Sequence, residues 1–234
     1  MSAAAPTHDT VTQTDRAYQA LRGAIVRCEL DPGARLRVEE LSQLLGVSSS
    51  PLREALSRLA GQGLVKAYEN RGFRVAPLTL EGLTDLTRVR LIVEREALRE
   101  AMDNGDDAWE ARLVAAAHSL ALVEQRLSST GPLALDDDWS ARHREFHLAT
   151  YAGARSPLLQ AMVADLFDAA ERYRRYSARH RKAPRHKHSE HQDLLAAVLA
   201  RRRKEALALL AQHISSTEQN VAAALLSMSW ATAH

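Results

Sequence analysis

The chain has 234 residues, long enough for two ordinary domains. Its 46% hydrophobic and 26% charged content, with only 10 Gly and 7 Pro, excludes a disordered or fibrous chain, and its single cysteine, Cys28, excludes an intrachain disulfide framework or a thiolate zinc cluster. The net charge of +2, from 31 basic and 29 acidic side chains, gives by itself no sign of a nucleic-acid partner.

Residues 1–13 are small and polar and read as a flexible arm, without the basic and apolar segments of a secretory leader. No stretch reaches about 18 uninterrupted apolar residues, so a cytoplasmic chain with no membrane segment is expected. From about Asp15, the residues Tyr18, Leu21, Ile25 and Val26 recur at helical spacing, and Pro32-Gly33 mark a turn. A second, two-turn helix begins near Val38, with Leu41, Leu44 and Leu45 assigned to one face, and stops at Gly46. Ser48 to Ser50 offer N-cap oxygens to a third helix, whose stripe is Leu52, Ala55, Leu56 and Leu59 and whose end is Gly61 or Gly63. The period then falls to two in Leu64–Tyr68 and Phe73–Ala76 around Arg71-Gly72, which predicts a hairpin. Three helices and a hairpin over residues 14–78 make a winged helix-turn-helix.

Residues 79–234 lose the strand signal and predict an all-helical bundle, so the fold class is mainly α. The expected helices span 81–103, 107–129, 135–152, 157–181, 189–201 and 203–227, separated at Asn104-Gly105, Ser128–Pro132, Gly153–Pro157 and Lys182–Pro184. His180–His191 is a basic, histidine-rich connector whose His180, His186 and His188 read as solvated.

Residues 1–78 hold ten basic and eight acidic side chains, against 21 of each in the remainder. Arg53 and Arg58 on the third helix, with Arg71 and Arg74 on the hairpin, are placed to neutralise phosphates on one side; an ordinary solvated face is the plain alternative. The segment Leu41–Leu59, followed by Gly63-Leu64-Val65 and Arg71-Gly72-Phe73-Arg74-Val75, resembles the DNA-binding domain of GntR-family transcriptional regulators. The resemblance implies groove contacts from Ser49, Ser50, Arg53, Arg71 and the wing-tip Gly72. Ser49 stands where the family usually carries a base-reading arginine, and Ser50 replaces threonine. Losing a guanine-reading fork removes about 1 to 3 kcal/mol of discrimination, so the operator is expected to differ from the family's common one.

In the second half His143 and His147, four residues apart, share one helix face with Trp139, Phe146 and Thr150. His191 and His213 also project from apolar stripes, whereas His118, beside Val114, Ala121 and Leu122, has nothing to mark it as a ligand. Four inward imidazoles suit zinc or nickel, although any one of them alone reads as a hydrogen-bonded core residue. Residues from about Glu81 to Val221 resemble the FCD effector domain of the FadR subfamily. There an Asp-x-x-Phe-His segment and two later histidines bind a divalent metal that helps to hold a small carboxylate effector. The resemblance implies His147, His191 and His213 as ligands, with His143 at the aspartate position, and Arg90 as the arginine that meets the effector carboxylate. An intrahelical pair with Glu94 is the other reading of Arg90.

The function expected is that of a homodimeric regulator that binds double-stranded operator DNA under control of a small organic acid held at a zinc or nickel site. Effector binding would shift the bundle and alter the placement of the winged modules. Alternatives are a metal-responsive regulator without an organic effector, a ligand-binding bundle whose winged domain makes protein contacts, and, remotely, a metal-dependent hydrolase. Against catalysis, Glu145 lies about 200° round the helix from His143, and no nucleophile elbow, phosphate loop or dinucleotide fingerprint occurs.

Overall fold

The computed structural model describes residues 12–69, 71–128, 136–180 and 188–231, so nearly all of the expected arm and most of the histidine-rich connector lie outside the described residues. The chain divides after Pro77 into two compact units.

In the first unit, α1 (Gln13–Val26) opens at Thr12, whose side chain accepts from the Asp15 amide, and buries Ala17, Tyr18, Leu21 and Ile25. A two-residue strand, β1 (Arg35–Leu36), precedes α2 (Val38–Leu45). Gly46 takes the left-handed conformation, φ 61° and ψ 36°, and returns its N–H to Ser42, as the capping argument expects. The third helix, α3 (Ser49–Gly61), buries Leu52, Ala55, Leu56 and Leu59 against α1. β2 (Val65–Tyr68) and β3 (Gly72–Val75) form the expected antiparallel hairpin, with Tyr68 opposite Gly72. Gly72, the first residue of β3, has φ 81°, a conformation open to glycine without strain. β1 joins the far edge of β3, giving the order β1-β3-β2. The expected face of α2 needs correction: Leu41 is buried but Leu44 is 78% exposed. Leu44 sits about 100° round from Leu45, and the helix covers only the arc that carries Val38, Leu41 and Leu45.

The second unit contains α4 (Leu80–Asn104), α5 (Asp107–Ser128), α6 (Asp137–Tyr151), α7 (Pro157–His180), α8 (His188–Leu199) and α9 (Arg203–Ala231). Thr79 and Asp136 cap α4 and α6 by accepting from the amides of Gly82 and Trp139. The core gathers Leu98, Trp109, Leu113, Phe146, Leu194 and Leu210. Trp109 also donates its indole N–H to the Ala149 carbonyl at 2.9 Å, joining α5 to α6. Gly153 supplies more than a turn: a Cβ there would lie 2.8 Å from the Ala101 carbonyl oxygen, so only glycine lets the α6–α7 connection rest on α4. On α5 the apolar face expected around His118 is reversed. Val114, His118 and Leu122 face solvent, while Trp109, Leu113, Ala116, Leu120 and Val123 are buried. This helix is apolar or small nearly all round, and the stripe carrying the largest side chain goes inward. Among the described residues no helix is long and apolar enough to cross a membrane.

Candidate metal centre and nucleic-acid face

Three helices bring the four histidines together. The i, i+4 spacing sets His143 and His147 on one face of α6; α8 contributes His191 and α9 contributes His213. All four are at most 5% exposed, and each offers a nitrogen within 4.8 Å of the others. His143 Nε2 and His147 Nε2 are 3.1 Å apart. At that distance two neutral imidazoles either share a proton or both present lone pairs to a cation. Nitrogen ligands around a tetrahedral zinc ion at about 2.0–2.1 Å lie about 3.4 Å from one another, so this donor set fits a borderline divalent ion after small side-chain rotations.

The surroundings fix the rings. The Trp139 ring stacks on His143 at 4.5 Å with an interplanar angle of 14°, and Phe167 lies 5.5 Å from His143 and 5.4 Å from His147. Phe146 packs against His191 at 5.2 Å. Two carboxylates that the sequence reading missed stand beside the outer nitrogens, one of them in hydrogen-bond contact. Glu190 Oε2 is 2.7 Å from His213 Nδ1, which leaves Nε2 of that ring to face the cluster. Glu124 Oε1 is 3.7 Å from His191 Nδ1 and accepts from the Trp139 indole at 3.4 Å. A carboxylate behind a ligating imidazole sets its tautomer and raises its basicity. Glu190 adjoins His191 in the chain, but its partner is His213 on another helix, so no local signal marks the pair.

Arg90 is placed in the ion-pair arrangement. It is 4% exposed and gives Nε to Glu94 Oε1 at 2.6 Å and Nη2 to Oε2 at 3.4 Å. The Tyr151 hydroxyl donates to the same carboxylate at 2.7 Å. Burial, together with the negative Glu94, pushes the Tyr151 phenol far above its ordinary range and keeps it a neutral donor. Nearby on α7, Arg174 donates to Glu171 at 2.9 Å and to the Phe167 carbonyl at 3.4 Å, with its guanidinium 4.4 Å above the Phe167 ring. A groove of about 550 Å³ between α5, α6 and α7 is lined by Arg112, Arg144, Glu145, Leu148 and several alanines and includes none of the four histidines. Glu145 therefore faces away from the cluster, as its angular offset predicts.

On the winged unit, Ser49 and Ser50 form the exposed first turn of α3, Arg53 is exposed one turn later, and Arg71 and Gly72 are exposed at the wing tip. Arg58 does not belong with them. Its Nη1 is 2.8 Å from Asp15 and its guanidinium lies 4.4 Å over the Tyr18 ring, so it serves the α1–α3 contact. The hydrogen bond from Arg58, reinforced by that from Thr12, holds the Asp15 carboxyl below its usual range. Arg74 remains exposed but gives Nη1 to the Gly33 carbonyl at 3.1 Å.

Residues 13–75 match the family of bacterial regulatory proteins described as the gntR family, and residues 85–216 match the FCD domain. The chain is 38% identical over 200 residues to the HTH-type transcriptional regulator BphR of Paraburkholderia xenovorans, covering 86% of this chain and 81% of that protein. It is 37% identical over 209 residues to the HTH-type transcriptional repressor GlaR of Escherichia coli, covering 88% of this chain and 93% of that one. Among solved structures it resembles E. coli McbR/YncC, with a TM-score of 0.74 at 25% identity over 94% of this chain and 100% of the other. The matched families and relatives are transcriptional regulators, not enzymes, which removes the hydrolase reading.

Proposed function

The chain belongs to the GntR family of bacterial regulatory proteins, with an FCD domain as its helical unit, and from that premise we propose a cytoplasmic, homodimeric, metal-dependent sensor of a small organic acid. The observation that carries this reading is the set of four buried imidazoles whose nitrogens lie within 4.8 Å of one another. His143, His147, His191 and His213 would hold zinc or nickel, and the bound ion would supply a Lewis-acidic charge for one carboxylate oxygen. A wholly neutral ligand set leaves the ion's charge uncompensated by its protein ligands, which favours an anion as the next ligand. Trp139, Phe146 and Phe167 exclude water and hold the rings, while Glu190 orients His213. Arg90 is the family-position arginine; with Nε and Nη2 held by Glu94, its remaining Nη1 would add a charge-assisted contact to the acid.

On the winged unit, Ser49, Ser50, Arg53, Arg71 and Gly72 would face operator DNA, with Arg53 reading bases from the start of α3. Two copies would present two such faces to two half-sites. A coupling of about 1 to 3 kcal/mol between acid and DNA would change operator affinity about 5- to 150-fold.

Elemental analysis of gently purified protein, with native mass spectrometry, tests the sensor. About one zinc or nickel per chain is expected, with a co-purified acid, and H147A/H191A should lose both while its winged unit keeps binding DNA. Full metal content in that double variant overturns the site. Operator binding that responds to metal alone, with no acid of any kind, replaces the reading with a metal-responsive regulator.

A further inference from the structure

The sheet of the winged unit has two unlike faces. In register, Val65 stands opposite Val75, and Leu36 and Ala67 flank Phe73; Leu36, Val65, Phe73 and Val75 pack into the core of the unit. The alternate residues face solvent, and there Arg35 of β1 and Lys66 of β2 both stand directly opposite Arg74 of β3. The order β1-β3-β2 thus sets three exposed cations in one row across the sheet, about 10 Å from end to end at the usual strand spacing. It is the docking of β1, a strand with no period of its own, that adds Arg35 to the two cations of the hairpin.

Like charges directly opposite one another destabilise a sheet. Among the described residues no carboxylate pairs with any of the three: Arg74 gives Nη1 to the Gly33 carbonyl, and Arg35 and Lys66 make no hydrogen bond or ion pair. The row is therefore a standing cost to the fold that an outside polyanion would remove. Its neighbours indicate which one. Two residues along the strands, about 7 Å nearer the tip, Tyr68 stands opposite Gly72 on the same face and is 43% exposed. With Arg71 and Gly72 at a groove, the part of the hairpin two residues back lies beside the groove wall, which is a sugar-phosphate strand. Such a strand carries one phosphate per about 3.4 Å of axis, so a row of about 10 Å spans two to three successive phosphates. Arginine, lysine and the tyrosine hydroxyl are all phosphate donors.

We propose that Arg35, Lys66 and Arg74, with the Tyr68 hydroxyl, form a phosphate-binding row on the outer face of the wing sheet, gripping the DNA backbone beside the groove that the wing tip enters. The inference rests on the reading of Arg71 and Gly72 as groove contacts and extends the interface from the tip to the sheet face and to β1. The row supplies affinity and register but no base reading, in contrast to Arg53.

Anisotropy titrations of the full chain between about 50 and 300 mM KCl test this, with a random-sequence duplex of about 30 base pairs and with the operator that the unmodified protein selects from a randomised pool. Arg35→Gln/Lys66→Gln is expected to lower the log-log salt slope by about 1.8 per bound chain and to weaken both duplexes about tenfold at the low-salt end. The same variant should be no less stable in urea, because two of three opposed like charges are gone. A salt slope unchanged in the double variant, or a loss confined to the selected operator, overturns the phosphate row while leaving the DNA-binding reading intact. Absence of salt-dependent binding of the unmodified protein to either duplex overturns that parent reading as well. If the double variant does not fold, Lys66→Gln alone decides, with an expected slope change of about 0.9.

Discussion

The two units use arginine in opposite ways. In the winged unit Arg53 and Arg71 stand in solvent, where their desolvation has not yet been spent on any internal partner. In the helical unit Arg90 and Arg174 are enclosed, with carboxylates of their own helices fixed beside them. An exposed guanidinium contributes little to folding and stays available to an outside polyanion; a buried one must be answered inside the fold. The residue type is the same, and burial decides whether its charge serves association or architecture.

Substitutions that remove one partner from each setting sharpen the contrast. Glu94→Ala leaves Arg90 buried without its carboxylate partner, and should cost about 3 to 5 kcal/mol in urea unfolding; a loss under about 1 kcal/mol would mean that water reaches Arg90. Arg53→Ala should weaken specific operator binding by about 1 to 3 kcal/mol with little change in stability, and titrations against specific and random DNA separate base reading from phosphate contact. Glu190→Ala should lower zinc affinity about 10- to 100-fold, measured by competition with a chelator, whereas Glu190→Gln, which still accepts from Nδ1, should recover part of the loss.

Alkaline titration probes the enclosed side again. Tyr151 holds its proton in the fold to a pH well above the point where an unfolded tyrosine releases it, so the folded state binds the extra proton above about pH 10. Its contribution is fully present below that pH and declines as pH rises, by about 1.4 kcal/mol per unit while only the unfolded chain is ionised. Tyr151→Phe should flatten this limb. The smallest effect is expected from Asp15→Asn, which breaks an exposed pair with Arg58. The folded-state value of Asp15 is depressed, so its contribution is present above the ordinary carboxylate range and is lost as pH falls through the lower value. The difference between Asp15→Asn and the unmodified protein in urea should therefore shrink in acid.

Much of the fold was legible before any coordinates. Apolar residues at three- and four-residue spacing located α4 to α9 within a few residues, and Gly46 ended α2 as its freedom at positive φ requires. β1 escaped because two residues carry no period. Leu44 and His118 went to the wrong side because a short helix and an alanine-rich helix each offer more than one apolar arc, and only a neighbour selects between them. Arg58 looked like a DNA contact until α1 supplied Asp15 and Tyr18. In the candidate centre the histidines were legible from the four-residue interval on α6 and from apolar stripes on α8 and α9. Glu124 and Glu190 were not, since each meets a histidine of a different helix.

The sequence by itself determined which segments coil, which faces seek the interior, and that neutral nitrogen donors stand on three of those faces. Tertiary packing alone decided that the donors meet within one ion's reach, which carboxylates stand behind them, and which arginines are enclosed. The physical reason is range: helical period and capping act over a few residues, whereas burial, pairing and convergence depend on partners tens of residues away that only the assembled core brings into contact.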